Sequence, residues 1–293
     1  MAEEREDLVW ICGIGSMMDP ASSKRTFSAE RVFDFQPGRL RGYKRVFNLV
    51  SVSSYRDMLN DPVKGRVAVV AACPDPESTS LVSVLRIPRS TLPLFRERQH
   101  RYRIVEEDVE LCGAGEFRGQ TVRALVCSQN TDEEYMEVKC RGDPDRYQER
   151  VGQYYTGKLW RDDVFPITSY LGICLRAAAG LGPEWLENFL DCSFLADGVT
   201  TIRQYLAENP ELEDEVVSVV LPDLQRPLSP LSDASSETGS SSRGAVGSSG
   251  GAHAKRSISL HAEFTEVDSL SDEEEPTLPK ISSLSPAEPT IST

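Results

Sequence analysis

Up to Cys127 the apolar residues of this 293-residue chain fall mostly in short runs and alternations; from Asp132 onward they recur at helical spacing. Period-2 alternation and short unbroken apolar runs are strand signals, whereas i, i+3, i+4 spacing marks helices. Strands are therefore expected at 8–12, 31–36, 40–54, 67–73, 81–87, 102–111 and 121–127. Helices are expected at 20–27, 88–100, 132–139, 144–155, 168–179, 183–190 and 200–208. Strands first and helices last exclude a βαβ repeat and predict an α+β fold on a mixed or antiparallel sheet. Pro37-Gly38 and the Asn60–Gly65 stretch read as breaks between strands. No repeat recurs along the chain.

The pattern stops near residue 222. Residues 223–293 hold 17 serines and a single aromatic, Phe264. Five basic residues against 11 acidic ones there account for −6 of the chain's net −14, leaving −8 for residues 1–222. Such a segment buries too little apolar surface to offset the entropy of ordering, and disorder is expected. Residues 1–222 suit one domain. Within the tail, Ser257 and Ser259 follow Lys255-Arg256, and Ser269 and Ser271 precede an acidic run. Ser229-Pro230 and Ser285-Pro286 are proline-directed in form. These serines suit binding by kinases or other proteins, and phosphates there would change the tail's charge strongly; the alternative is a merely polar spacer.

An acidic chain without a basic stripe excludes nucleic acid as a natural partner. No apolar run reaches the length of a membrane span. Seven cysteines without a CxxC pair read as reduced thiols of a cytoplasmic protein. The acidic N-terminus is unlike a signal or transit peptide. Of three histidines only His100 lies before the tail, which disfavours Ser-His-Asp and Cys-His mechanisms and the common zinc sites. A catalytic base would then be a carboxylate.

Two stretches carry candidate chemistry. Leu8 to Cys12 leads into Gly13, Ile14, Gly15, Ser16, Met17 and Met18, then Asp19-Pro20. Glycines permit close approach of a ligand, and Asp followed by Pro is a helix start. A strand, tight turn and helix start present backbone N–H groups to a carboxylate, phosphate or developing oxyanion. A dinucleotide fingerprint is excluded, because Met18 stands where the third glycine belongs and strands follow rather than a βαβ unit. A purely structural turn stays open. The second stretch, 95–102, contains Glu97. On a helix beside Leu94 and Phe95 its carboxylate would be desolvated and usable as a base near neutrality. The other environment is a surface carboxylate paired with its arginines.

Gly15-Ser16 at the turn, Glu97 some eighty residues later, and Gly42-Tyr43 followed by Phe47 resemble the gamma-glutamylcyclotransferase superfamily over roughly residues 8 to 160. Ile14 stands where that family usually has Tyr, and Met17 where it has Asn or Leu. The resemblance implies a small mixed β-barrel with peripheral helices in 8–160, extended by helical residues 161–222. It also implies that the Gly13–Met18 backbone holds a small gamma-glutamyl substrate and that Glu97 is the general base. The products are 5-oxoproline and an amine, with no metal or redox cofactor. An inactive binding or regulatory protein on the same scaffold is the alternative.

Overall fold

A computed structural model of the protein describes residues 7–52, 65–212 and 216. Five strands close into a mixed barrel. Strand β1 (Leu8–Gly13) runs antiparallel to β3 (Arg66–Pro88) and parallel to β5 (Thr121–Ser128). Antiparallel pairings of β5 with β4 (Arg103–Leu111), of β4 with β2 (Phe33–Val50), and of β2 with β3 complete the ring. Two short strands lie on its outside, β6 (Phe165–Pro166) parallel to β3 and β7 (Ser193–Leu195) parallel to β2. The fold is thus α+β, built on the small mixed barrel that the resemblance implied.

The expected strands 31–36 and 40–54 are one strand, β2, and 67–73 and 81–87 are one strand, β3. Pro37 and Gly38 do not break β2, because both pair with β3 and the Pro37 carbonyl still accepts from Cys112 N–H at 2.9 Å. The chain bends by bulges instead. Register shifts fall between Phe33 and Gln36, Arg41 and Tyr43, and Phe47 and Leu49. Gly42 takes the second of these with φ +76°, a conformation that costs glycine little. Long bent strands let a ring of five close on itself.

Helix α1 (Pro20–Phe27) is capped by Asp19, whose carboxylate accepts from Ala21 and Ser22 N–H. The helix expected at 88–100 shortens to a 3₁₀ turn, Arg89–Thr91, and α2 (Leu92–Arg98). Helices α3 (Asp132–Glu134) and α4 (Pro144–Tyr147) each continue as one π-helical turn, Tyr135–Lys139 and Gln148–Gly152. Then come α5 (Thr168–Leu181), α6 (Pro183–Asp191) and α7 (Ile202–Glu208). Among the described residues no helix is long and apolar enough to cross a membrane. Residues 223–293, with the serine motifs of the expected tail, lie outside the described residues, as do 53–64.

The helical pair α5–α6 packs on the barrel through aromatic contacts. Phe47 of β2 is fully buried, its ring edge-on to Tyr170 of α5 and to Phe189 of α6 at 6.3 Å each. Truncating a ring enclosed on both sides leaves a cavity that helices tied to a closed barrel cannot fill. Phe47→Ala is expected to cost about 3–5 kcal/mol, measured as a fall in urea midpoint with unchanged m-value.

Candidate functional site

The turn after β1 is ordered by its carbonyls. Ile14 C=O accepts from Arg45 Nε at 3.0 Å, Gly15 C=O from Met18 N–H at 2.8 Å, and Ser16 C=O from Asp19 N–H at 3.1 Å. Met17 C=O accepts two hydroxyls, Ser23 at 2.9 Å and Ser83 at 3.0 Å. Among the described residues no backbone carbonyl accepts from the N–H groups of Ile14, Gly15, Ser16 or Met17. The turn is therefore polarised, with its carbonyls bound into the protein, while of its amides that of Ser16 meets the Tyr170 hydroxyl oxygen and those of Ile14, Gly15 and Met17 have no backbone acceptor. The side chains of Ile14, Met17 and Met18 are buried, while Ser16 is half-buried. Both glycines are required by close approach. A Cβ on Gly13 would fall 2.4 Å from Ser83 Oγ, and one on Gly15 would fall 2.5 Å from Tyr170 Oη and 2.6 Å from Val70 Cγ1.

Tyr170 was not among the residues marked by sequence. Its hydroxyl meets the Ser16 backbone and the Cys174 side chain, and burial raises its phenol well above the ordinary value. It stays protonated, its oxygen accepting from Ser16 N–H and its hydroxyl shared with Cys174, at the position where Ile14 brings no hydroxyl. Nothing in the sequence around 170 flags it, because a tyrosine one turn into an amphipathic helix reads as core.

Arg45 was missed as well. It is fully buried, and among the described residues it has no carboxylate partner. Its guanidinium donates to Ile14 C=O, to Leu81 C=O and to Asn188 Oδ1 (3.2 Å), and lies 5.0 Å from the centre of the Phe189 ring. Burial pushes it down to about 10, so the charge persists at neutral pH. A signal for it existed: Arg45 shares its strand face with Phe47, so alternation places it inside.

Glu97 does not have the desolvated environment expected beside Leu94 and Phe95. Leu92 and Phe95 form the buried face of α2, whereas Leu94 is 47% exposed. Glu97 lies on the outer side with Leu94, its side chain 65% exposed, and Arg150 Nη2 donates to its Oε2 at 3.0 Å. Of the two environments left open by sequence, the structure has the surface carboxylate paired with an arginine, one that comes from the Gln148–Gly152 turn rather than from 95–102. Contacts from the next two residues, which face other sides than Glu97, relate the end of α2 to the candidate loop. Gln99 Nε2 lies 3.9 Å from Met17 Sδ, and Arg98 donates to Thr26 Oγ1 of α1.

His100 is held neutral. Burial, with Arg101, Arg150 and Lys139 nearby, pushes it down to about 3, and its Nδ1 lies 2.8 Å from Tyr135 Oη. Burial also pushes the Cys12 thiol up to about 12, which leaves little thiolate for oxidation chemistry at that position. All seven cysteines are free. Among the described residues no group of three or more His, Cys, Asp or Glu is placed to hold a metal.

No family model matches the chain, and no curated protein does. Among solved structures it is similar to a gamma-glutamyl cyclotransferase, at 17% identity and TM-score 0.32 over 53% of this chain and 95% of that one. It is similar to a yeast gamma-glutamyl cyclotransferase specific to glutathione, at 13% identity and TM-score 0.35 over 62% and 95%. It is also similar to YkqA from Bacillus subtilis, at 18% identity and TM-score 0.36 over 64% and 54%.

Two predictions test this geometry. Arg45→Met takes the guanidinium donor from the Ile14 and Leu81 carbonyls; it is expected to lower stability by about 1–3 kcal/mol, and Arg45→Lys is not expected to restore it, because an ammonium lacks the planar fork. Urea unfolding measures both. For His100, the unfolded chain binds a proton near 6.5 and the folded chain does so only near 3. Stability therefore falls as pH drops through 6.5, by about 2 kcal/mol between pH 7 and pH 5. In His100→Asn this part of the pH dependence is expected to vanish from paired unfolding curves.

Proposed function

We propose that the chain is a gamma-glutamylcyclotransferase-type enzyme, releasing 5-oxoproline from a gamma-glutamyl amino acid, peptide or amine. The observation that carries this reading is the polarity of the 14–17 turn, whose four carbonyls all have donors while its amides have no backbone acceptor. Preorganised amides of this kind are suited to a carbonyl oxygen that becomes an oxyanion. The Gly15-Ser16 and Glu97 resemblance supplies the chemistry.

In this reading the substrate's γ-carbonyl oxygen lies on amides within the Gly13–Met18 backbone, among Ile14, Gly15 and Met17, since Met18 N–H is bonded to Gly15 C=O and Ser16 N–H meets Tyr170. Glu97 takes a proton from the α-ammonium, and the freed amine attacks the γ-carbon of the same molecule. A carbon–nitrogen bond forms to close the five-membered ring. The bond to the leaving nitrogen breaks as Glu97 returns the proton to it, and the ring nitrogen gives its remaining extra proton to the released amine, which leaves as its ammonium. Nucleophile and electrophile belong to one molecule, so holding the ring-closing conformer lowers much of the barrier. Tyr170 offers the hydroxyl that Ile14 does not.

A second reading, a binding protein without turnover, is favoured by one observation: Arg150 occupies the Glu97 carboxylate. Release of 5-oxoproline from a panel of gamma-glutamyl compounds separates the two. The enzyme reading expects release by the wild type and a fall in kcat of about 10²–10⁴ in Glu97→Gln, with the variant's unfolding curve unchanged. Equal rates in both proteins would remove Glu97 from the chemistry, and no release across the panel would leave the binding protein.

A further inference from the structure

Arg150 and Glu97 present opposite charges side by side, and they differ in how they are held. Arg150 lies on the Gln148–Gly152 turn next to fully buried Val151, and its side chain is 24% exposed against 65% for Glu97. Tyr135 and Cys140, both fully buried, lie beside its guanidinium. The arginine is the more buried partner and the glutamate the more exposed one. Their contact is a single one, Nη2 to Oε2 at 3.0 Å. A guanidinium carries five N–H donors in a planar fork. Among the described residues no other acceptor is seen on Arg150, so most of that fork is free for a second carboxylate. The neighbourhood is positive, since Arg101 and Lys139 join Arg150 around His100, in a chain whose net charge is −14. A local cationic spot on an anionic protein concentrates anionic ligands there.

We infer that the Glu97–Arg150 pair is the receptor for an α-amino-acid head group, with Glu97 facing the ammonium and Arg150 holding the carboxylate. This rests on the function proposed above and names the chemical requirement of its site. In a gamma-glutamyl compound the ammonium and the carboxylate sit on one carbon. A base that takes the ammonium proton must be within hydrogen-bond reach of it, which brings the carboxylate to the guanidinium that already touches that base. Binding then exchanges one carboxylate for another on Arg150 and releases Glu97 toward the amine. The substrates selected carry a free α-carboxylate, and compounds in which it is missing are rejected whatever their leaving group.

The test uses the full chain, with L-glutamine as the simplest gamma-glutamyl amide and 4-aminobutanamide as its analogue lacking the carboxylate. The kcat/KM for release of 5-oxoproline from the first and of 2-pyrrolidinone from the second is measured for wild type, Arg150→Gln and Arg150→Lys. The wild type is expected to prefer L-glutamine by about 10–100-fold, the worth of a charge-assisted pair. Arg150→Gln should erase that preference, chiefly through KM for L-glutamine, and Arg150→Lys should keep part of it. An equal loss on both compounds would make Arg150 a structural support for Glu97 and overturn the inference, as would an unchanged preference in Arg150→Gln. Should the wild type turn over neither compound, the gamma-glutamyl panel above still decides the cyclotransferase reading, and calorimetric binding of the same pair decides the head-group receptor separately. Binding of L-glutamine at least 10-fold tighter than 4-aminobutanamide, lost in Arg150→Gln, upholds it; no such difference refutes it.

Discussion

The buried Arg45 guanidinium is the interaction on which the arrangement depends. It joins the turn after β1 through Ile14, the neighbouring strand through Leu81, and α6 through Asn188, with the Phe189 ring against its face. Taking a cation out of water with no carboxylate beside it costs several kcal/mol, and the structure offsets this with hydrogen bonds and ring contact. The cost has a return in geometry. A planar fork fixes three oxygens relative to one another, so the turn, the barrel and the helical pair hold one arrangement. Asn188 reinforces the joint, since its Oδ1 also accepts from Leu81 N–H and its Nδ2 donates to the Thr79 carbonyl.

The polarity of the turn follows from that joint. Arg45 draws the Ile14 carbonyl inward, and Ser23 and Ser83 draw the Met17 carbonyl inward. Peptide planes carry N–H and C=O on opposite edges, so fixing the carbonyls sets where the amides face. The backbone geometry here comes from the supporting contacts more than from the turn's own side chains, three of which are buried apolar groups. This explains how Ile14 and Met17 can occupy a turn of this kind without changing its backbone. It also explains why Tyr170, from a helix more than a hundred residues away, can bring a hydroxyl to it.

Much of the molecule was legible in the residues. The α+β class followed from alternation giving way to helical spacing, and the turn at 13–18 from two glycines ahead of Asp19-Pro20, which does cap α1. The joining of paired segments into two long strands was not legible. Pro37-Gly38 is a break by local preference, and only partners on both sides, with bulges to absorb the misfit, keep it in a strand. The surroundings of Glu97 were readable only as alternatives, because a seven-residue helix can turn either of two apolar residues inward. The barrel took Phe95 and left Leu94 outside.

The sequence by itself determined the fold class and the candidate backbone turn, since both are local: they depend on residue spacing and on what glycine, proline and aspartate permit. Only the tertiary structure decided which residues meet. Arg45 beneath the turn, Tyr170 beside it and Arg150 on Glu97 each join segments distant along the chain. Spacing constrains neighbours within an element. Contacts between elements are fixed by barrel closure and by the satisfaction of buried polar groups, and neither is visible until the whole chain has packed.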